Sequence, residues 1–110
     1  WEYLKRGYFE KIDVDILEGL ALYPTGDIKN IKDAREIIPE NIIIRGSIDL
    51  DFLLKATPKE VYEATMDQIN QIASRKHMVS GGCDILYGTS IENIKALSAA
   101  CSDANKNLTL

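Results

Sequence analysis

Apolar and polar residues follow the same order three times along the chain: an apolar run, a polar turn and an amphipathic stretch. The apolar runs are Val14–Leu20, Asn41–Ile48 and His77–Cys83. The second run is dense in isoleucine and apolar on both faces, which is typical of a strand buried in a parallel sheet. Because each run is short and lies between turn residues, each is predicted to be a strand.

Each apolar run is followed by residues with helical spacing. Apolar side chains recur every three or four positions in Ile28–Ile38, with Asp27 as the predicted N-cap and Pro39 as the residue that ends the helix. The next two helices are predicted to begin with a T-x-x-E capping box, at Thr57–Glu60 and at Thr89–Glu92.

The two ends of the chain are also assigned. Residues Trp1–Phe9 are predicted to end a further helix, which Gly7 breaks. The polar residues Asp103–Leu110 are expected to fray. The last helix is expected to bury one apolar face, formed by Ile91, Ile94, Ala96, Leu97, Ala100 and Cys101.

Strands alternating with helices, at about 30 residues per unit, predict a parallel sheet with right-handed crossovers. Three parallel strands alone leave two edges of unpaired backbone. Part of a (β/α)₈ TIM barrel is therefore the more natural interpretation. The predicted fold class is α/β, and residues 1–110 show no internal domain boundary.

Composition excludes several classes of function. The chain has 110 residues, 45% of them hydrophobic and 27% charged, and a net charge of −4. This balance argues against nucleic-acid binding, and no apolar run has the roughly 20 residues of a membrane span. The two cysteines are too few for a disulfide scaffold, and no export signal is visible. We expect a cytoplasmic protein with reduced thiols, and a chain that begins inside a longer reading frame or has been processed.

Residues with chemical potential follow the predicted strands. Catalytic residues of parallel barrels lie at the carboxyl ends of the strands, where Glu18, Asp49 and Cys83 stand. Asp49 either contacts a ligand or caps its loop. Cys83 is either a functional thiol or a small buried hydrophobic residue. His77 begins the third strand at the opposite end from Cys83, so it is not counted as a ligand.

Two pairs of segments resemble motifs of the uroporphyrinogen decarboxylase superfamily. Gly46–Asp49 and Leu53–Val61 resemble its G-N-x-D-P and L-L-x-G-T-P-E-E-V patterns. Ser80–Cys83 and Thr89–Leu97 resemble its closing G-C/H-G and T-P-x-E-N-x-x-A patterns. The resemblance implies that the chain forms the last three βα units of an eight-unit barrel.

The resemblance covers residues 12–100 and includes Pro24–Ile28, which is similar to a P-x-G-D loop of methyltransferase-like members. Three positions depart from the pattern: Ser47 replaces Asn, Leu50 replaces Pro, and Ser90 replaces the Pro of T-P-x-E-N. These departures indicate a divergent member.

The superfamily contains two chemistries. Its decarboxylases act without a cofactor on acidic tetrapyrroles and carry a histidine on the last strand. Its corrinoid-dependent methyltransferases hold zinc through a His-x-Cys pair on an earlier strand and a cysteine on the last one. Since Cys83 stands at that last position, the resemblance implies a methyltransferase with Cys83 as a zinc ligand. Asp49, which matches a strand-end aspartate of the family, and Glu18, which ends the first predicted strand, are the candidate cofactor-binding residues.

The implied reaction moves a methyl group from a methylcobamide, carried by a partner corrinoid protein, to a thiol acceptor such as coenzyme M. The missing His-x-Cys pair is expected upstream of Trp1, and the 110-residue chain alone is expected to be inactive. The decarboxylase is the alternative within the same fold. A third possibility is a non-catalytic partial barrel that associates with another chain, or with itself, through its exposed strand edges.

Overall fold

Three short parallel strands form one sheet, in which they lie side by side in chain order. The computed structural model describes residues 1–73 and 76–107. The strands are β1 (Ile16–Glu18), β2 (Ile43–Arg45) and β3 (His77–Met78). The helices are α1 (Glu2–Lys5), a 3₁₀ helix (Tyr8–Lys11), α2 (Ile31–Ile37), α3 (Leu50–Lys55), α4 (Pro58–Ile72) and α5 (Ile91–Asn107).

The strand register brings the carboxyl ends of the strands together. Glu18 lies opposite Arg45, and Arg45 lies opposite Met78. A further parallel bridge joins Ile48 to Gly81 beyond the named strands. The parallel βα order predicted from the sequence is therefore confirmed, and the residues that follow all three strands meet at one edge of the sheet.

The helices cover the sheet through aliphatic contacts. Ile42 and Ile44 of the second apolar run are buried with Ile31 and Ala34 of α2, as their periodicity predicts. A second cluster joins the end of that run to α3 and α4 through Ile48, Leu53 and Val61. Within the described residues, no helix is both long and apolar enough to span a membrane.

Helix α4 begins with the predicted capping box. The Thr57 hydroxyl accepts a hydrogen bond from the backbone N–H of Glu60 at 3.3 Å, and the Glu60 carboxylate accepts one from the backbone N–H of Thr57 at 2.7 Å. Pro58 occupies the first turn, where its missing N–H leaves no broken hydrogen bond. The sequence signal here is local, and the structure confirms it.

The other two predicted caps are wrong by a few residues. Helix α2 begins at Ile31 with Asn30 as its N-cap, so Asp27 lies in the preceding loop. At α5, which begins at Ile91, the Ser90 hydroxyl accepts the N–H of Asn93 at 3.2 Å, and the Thr89 hydroxyl instead donates to the carbonyl of Leu86 at 2.8 Å.

Helix α5 buries the predicted face in part: Ala96 and Leu97 pack against the cluster of Ile48, Leu53 and Val61, whereas the two isoleucines of that face do not. Ala100 and Ala104 are buried, whereas Ile91 and Ile94 are exposed. Small side chains face the neighbouring helix, so the isoleucines are turned outward. Cys101, predicted to lie in the core, is only partly buried.

Asn93 explains why a polar residue takes the buried position in α5. Its Nδ2 donates to the carbonyls of Leu53 and Ala56, each at 2.8 Å. These carbonyls belong to the end of α3, where the helix leaves acceptors unsatisfied. Asn93 therefore ties the start of α5 to the end of α3.

The residues from Asp103 onward were predicted to fray, but those that the structure describes are helical. Helix α5 continues to Asn107. The Tyr62 hydroxyl donates to Asp103 Oδ2 at 3.0 Å and links α4 to α5. The rest of the predicted frayed tail, residues 108–110, lies outside the described residues.

A pair of amide hydrogen bonds joins α4 to the segment after β2. The backbone N–H of Ser47 donates to Gln68 Oε1 at 2.9 Å, and Gln68 Nε2 donates to the Ser47 carbonyl at 2.9 Å. Both residues are buried. The side chain thus replaces the backbone partner that a longer strand would have provided.

Replacing Gln68 with alanine removes both partners of the buried Ser47 backbone, so we expect a loss of about 1–3 kcal/mol in the free energy of unfolding. Asn70→Ala is the matched control on the same helix, since the Asn70 amide side chain is exposed. The control is expected to change stability by less than about 0.5 kcal/mol. Urea unfolding of the purified protein that contains this sequence measures both changes, and equal losses would contradict the assignment.

Candidate functional site

A polar cavity of about 430 Å³ opens at the carboxyl ends of the strands. Glu18 and Gly19 line it from β1, and Arg45 lines it from β2. The loop after β3 completes the lining with residues 80–85, which include Cys83 and Asp84. The structure thus brings Glu18 and Cys83 to one cavity, where the sequence placed them.

Two residues that line the polar cavity, Glu18 and Arg45, form an ion pair. Arg45 Nη1 lies 2.7 Å from Glu18 Oε2, and the side chains are 50% and 63% exposed. Such a solvated pair adds about 0–1 kcal/mol of stability, so its role is chiefly to orient the two groups. Within the part of the chain that the structure describes, the Arg45 guanidinium makes its hydrogen bond to Glu18 and to no other residue.

A second, smaller cavity adjoins the first. This apolar pocket, of about 150 Å³, has Ala21, Leu22 and Leu50 as aliphatic walls. Thr25, Ser47 and Asp49 line it as well. Gly82 and Cys83 line both cavities and separate them. Asp49, the third predicted site residue, therefore lies on the far side of Cys83 from Glu18.

Asp49 has a structural role that the structure shows directly. Its Oδ1 accepts the N–H of Phe52 at 2.9 Å and caps α3, a helix absent from the sequence prediction. Burial raises the pKa of Asp49, but hydrogen bonds from Thr25, Phe52 and Asp51 outweigh it and hold the pKa below its ordinary value. The carboxylate is therefore ionised and ties the loop of Thr25 to α3, while its binding of a cofactor stays a prediction.

Two glycines allow the loop after β3 to pass close to the segment after β2. A Cβ atom at Gly82 would lie 3.1 Å from Ser47 Oγ, and one at Gly81 would lie 3.2 Å from Leu50 Cδ2. Both distances are shorter than ordinary van der Waals contact. Only glycine therefore fits without displacing its neighbours, and Cys83 is the first side chain after the pair.

The two cysteines differ in their surroundings. Cys83 is exposed at the junction of the two cavities. Cys101 is partly buried on α5, and this burial raises the pKa of its thiol. The described residues contain no group of three or more His, Cys, Asp and Glu side chains placed to hold a metal ion.

His77 begins β3 as predicted and lies apart from the cavity lining. Its Nε2 is 2.5 Å from the carbonyl oxygen of Gly46. Burial lowers the pKa of His77, and the hydrogen bond to Gly46 raises it by less. The neutral ring therefore donates a hydrogen bond to the carbonyl of Gly46, directly after β2, and helps to hold β3 beside β2.

The family profile of uroporphyrinogen decarboxylase (URO-D) matches residues 14–104. The chain belongs to the URO-D family. It is 34% identical over 70 residues to the methylated-thiol–coenzyme M methyltransferase of Methanosarcina mazei, covering 63% of this chain and 18% of that protein. It is 40% identical over 58 residues to the uroporphyrinogen decarboxylase of Prochlorococcus marinus, covering 53% of this chain and 16% of that protein.

A solved structure described as a methyltransferase from Methanosarcina mazei has a similar fold. It matches with a TM-score of 0.63 and 24% identity, covering 71% of this chain and 23% of that one. The family and the fold match confirm the α/β barrel-type fold class. The URO-D chain therefore spans less than a quarter of the length of each of these relatives.

The sequence did not point to several residues that line the two cavities. Arg45 was not singled out, although a charged residue directly after three isoleucines is a visible signal. Leu22, Leu50 and Thr25 were not singled out as cavity residues. Nothing local marks them, because the apolar pocket forms between segments that are distant in the chain.

Cys83 is expected to react with iodoacetamide at least about tenfold faster than Cys101 at neutral pH. Burial raises the pKa of the Cys101 thiol, so less of it is present as the reactive thiolate, and it also shields the sulfur from the reagent. Peptide mass spectrometry of the metal-free protein that contains this sequence measures both rates. The same labelling in urea is the control, since unfolding should remove the difference. A faster reaction at Cys101 would contradict the assigned exposures.

The pH dependence of stability should include a contribution from His77. Its folded pKa lies below the ordinary value of 6.5, so its contribution is present above that pH and is lost as the pH falls through the folded value. His77→Gln keeps a donor for Gly46 but does not titrate. Urea midpoints measured between about pH 7.5 and 5 should therefore fall less for His77→Gln than for the parent, and parallel curves would refute the contribution.

Proposed function

We propose that this URO-D chain forms the C-terminal part, residues 1–110, of the barrel domain of a zinc-dependent methyltransferase. The enzyme moves a methyl group from a methylcobamide, presented by a corrinoid protein, to a small thiol such as coenzyme M. The observation that carries the proposal is the place of Cys83: an exposed thiol at the carboxyl edge of the sheet, between two cavities. The similarity to a methylated-thiol–coenzyme M methyltransferase supports it.

The described residues fit one ligand position for zinc and not a whole site. Cys83 supplies a thiolate, which zinc prefers, but the described residues contain no group of three or more potential ligands that includes it. The remaining ligands therefore belong to other segments of the barrel. Zinc, when bound, keeps a thiol deprotonated at neutral pH.

The chain's own residues have separate roles around that thiol. Glu18 Oε2 and Arg45 Nη1 lie 2.7 Å apart, and both charged side chains line the polar cavity. The ionised Asp49 fixes the loop of Thr25 and so shapes the apolar pocket. Gly81 and Gly82 bring the Cys83 loop against these groups.

The partial barrel also needs partners for its edges. β1 and β3 are the outer strands of the described sheet. Ile16 and Met78 on these strands are large apolar residues with exposed side chains. In the proposed enzyme the rest of the barrel covers them, and a second chain does so in a partial-barrel assembly.

A cofactor-free decarboxylase is the second candidate. The 40% identity to a uroporphyrinogen decarboxylase over 58 residues favours it. Arg45 in the polar cavity also suits an acidic substrate. Turnover of uroporphyrinogen without added zinc would support this candidate over the methyltransferase.

The methyltransferase proposal predicts about one zinc ion per chain in the reduced protein that contains this sequence. Cys83→Ser is nearly isosteric but replaces a thiolate with a poor ligand. Zinc affinity and thiol-dependent methyl transfer should therefore fall together, by at least about tenfold. Metal analysis and a methyl-transfer assay measure the two effects.

Cys101→Ser is the matched control, since the same change on α5 lies outside both cavities. It should leave the zinc content unchanged. Full zinc binding and full activity in Cys83→Ser would refute the proposal and return Cys83 to a packing role.

A further inference from the structure

One hydroxyl group at the apolar pocket has no hydrogen-bond partner. Ser47 lines this pocket and is only 1% exposed. Its backbone N–H and carbonyl are both paired with Gln68, but within the described residues its Oγ makes no hydrogen bond. An unpaired hydroxyl in a buried side chain is costly and calls for an explanation. The Ser47 Oγ therefore marks a position where a ligand atom would be stabilised.

The Ser47 hydroxyl lies on the side of the residue that faces the loop after β3. A Cβ atom at Gly82 would be 3.1 Å from Ser47 Oγ, and Gly82 lines the same pocket. Because residue 82 is glycine, no side chain at that position covers the hydroxyl. The group is thus buried in the protein and accessible from the pocket.

The charged group of the pocket is already engaged inside the protein. The Asp49 carboxylate accepts hydrogen bonds from Phe52, Thr25 and Asp51. An anionic ligand group would be repelled by this carboxylate. A cationic group would gain little from oxygens that are already used, and it would lose its hydration among aliphatic side chains. The pocket therefore favours a neutral occupant.

The rest of the pocket sets the size and the apolar part of that occupant. Ala21, Leu22 and Leu50 form aliphatic walls, and the volume is about 150 Å³. An engineered apolar cavity of about 150 Å³ in another protein binds benzene. A molecule with up to about six carbons and one hydrogen-bonding group therefore matches the space and its single unpaired hydroxyl.

We propose that the apolar pocket binds a small aliphatic alcohol, whose hydroxyl forms a hydrogen bond with Ser47 Oγ. A serine hydroxyl can donate or accept, and an alcohol can do either in return, so the pair can form in both directions. The alkyl chain of the alcohol packs against Leu22 and Leu50. The assignment goes beyond the proposed function, since it requires neither zinc nor methyl transfer.

The test compares three probes of similar length: 1-butanol, butylamine, which is a cation at neutral pH, and butyrate. Each is titrated into the reduced, zinc-free protein that contains this sequence, and NMR of carbon-13-labelled leucine methyl groups follows binding. The signals of Leu22 and Leu50 should shift and saturate with 1-butanol. Those of Leu86, which is exposed and lines neither cavity, should not.

The ranking of the probes decides the chemical class. 1-Butanol should bind more tightly than either charged probe. Tighter binding of butylamine or of butyrate would overturn the inference, as would the lack of a saturable shift at Leu22 and Leu50.

Ser47→Ala removes the hydroxyl and keeps both backbone groups that Gln68 binds. It should weaken the binding of 1-butanol about two- to tenfold, which is the usual effect of losing one neutral hydrogen bond. Ser80→Ala is the matched control, because Ser80 Oγ donates to the carbonyl of Gly81 and Ser80 lines only the polar cavity. The control should bind 1-butanol as the parent does. Equal affinity in Ser47→Ala and the parent would overturn the inference, and if Ser47→Ala folds poorly, the ranking of the three probes in the parent decides.

The two proposals fail separately. Alcohol binding that depends on Ser47, in a protein without zinc or methyl transfer, would support the pocket assignment and refute the methyltransferase. Zinc binding and methyl transfer in a protein whose pocket binds no alcohol would refute the pocket assignment alone.

Discussion

The paired hydrogen bonds between Gln68 and the backbone of Ser47 determine how the chain leaves the centre of the sheet. β2 ends at Arg45, and the next segment must turn toward α3 while its backbone groups remain buried. The Gln68 amide satisfies both groups of Ser47 from α4. Because Ser47 is held there, Asp49 reaches the start of α3, and the loop with Gly82 packs against it.

Local signals in the sequence were sufficient for much of the fold. The isoleucine-rich run predicted β2, and the T-P-x-E pattern at Thr57 predicted the start of α4, because both depend on neighbours in the chain. The start of α5 differed by one residue, because Ser90 rather than Thr89 accepts the N–H of Asn93. The buried Asn93 could not be predicted, since its partners lie on α3.

The candidate site was predictable in its position and less so in its composition. Parallel strands place their carboxyl ends together, so Glu18 and Cys83 could be assigned to one edge from the order of elements alone. The ion pair of Arg45 and the walls at Leu22 and Leu50 depend on strand register and on side-chain packing between distant segments. The URO-D resemblance supplied the chemistry of Cys83, which spacing alone did not.

The wall between the two cavities is made by backbone at Gly81 and Gly82, where a Cβ atom would collide with Leu50 and Ser47. Substitutions at Glu18, Arg45, Leu22 or Leu50 therefore leave the backbone of the glycine pair in place, whereas a change at Cys83 reaches both cavities. Evolution can vary the charged chamber through Glu18, Arg45 and Asp84 while Leu22 and Leu50 vary the aliphatic one. A side chain at either glycine would have to displace Leu50 or Ser47, so the pair is the point at which one substitution in the loop after β3 reaches the opposite wall of the site.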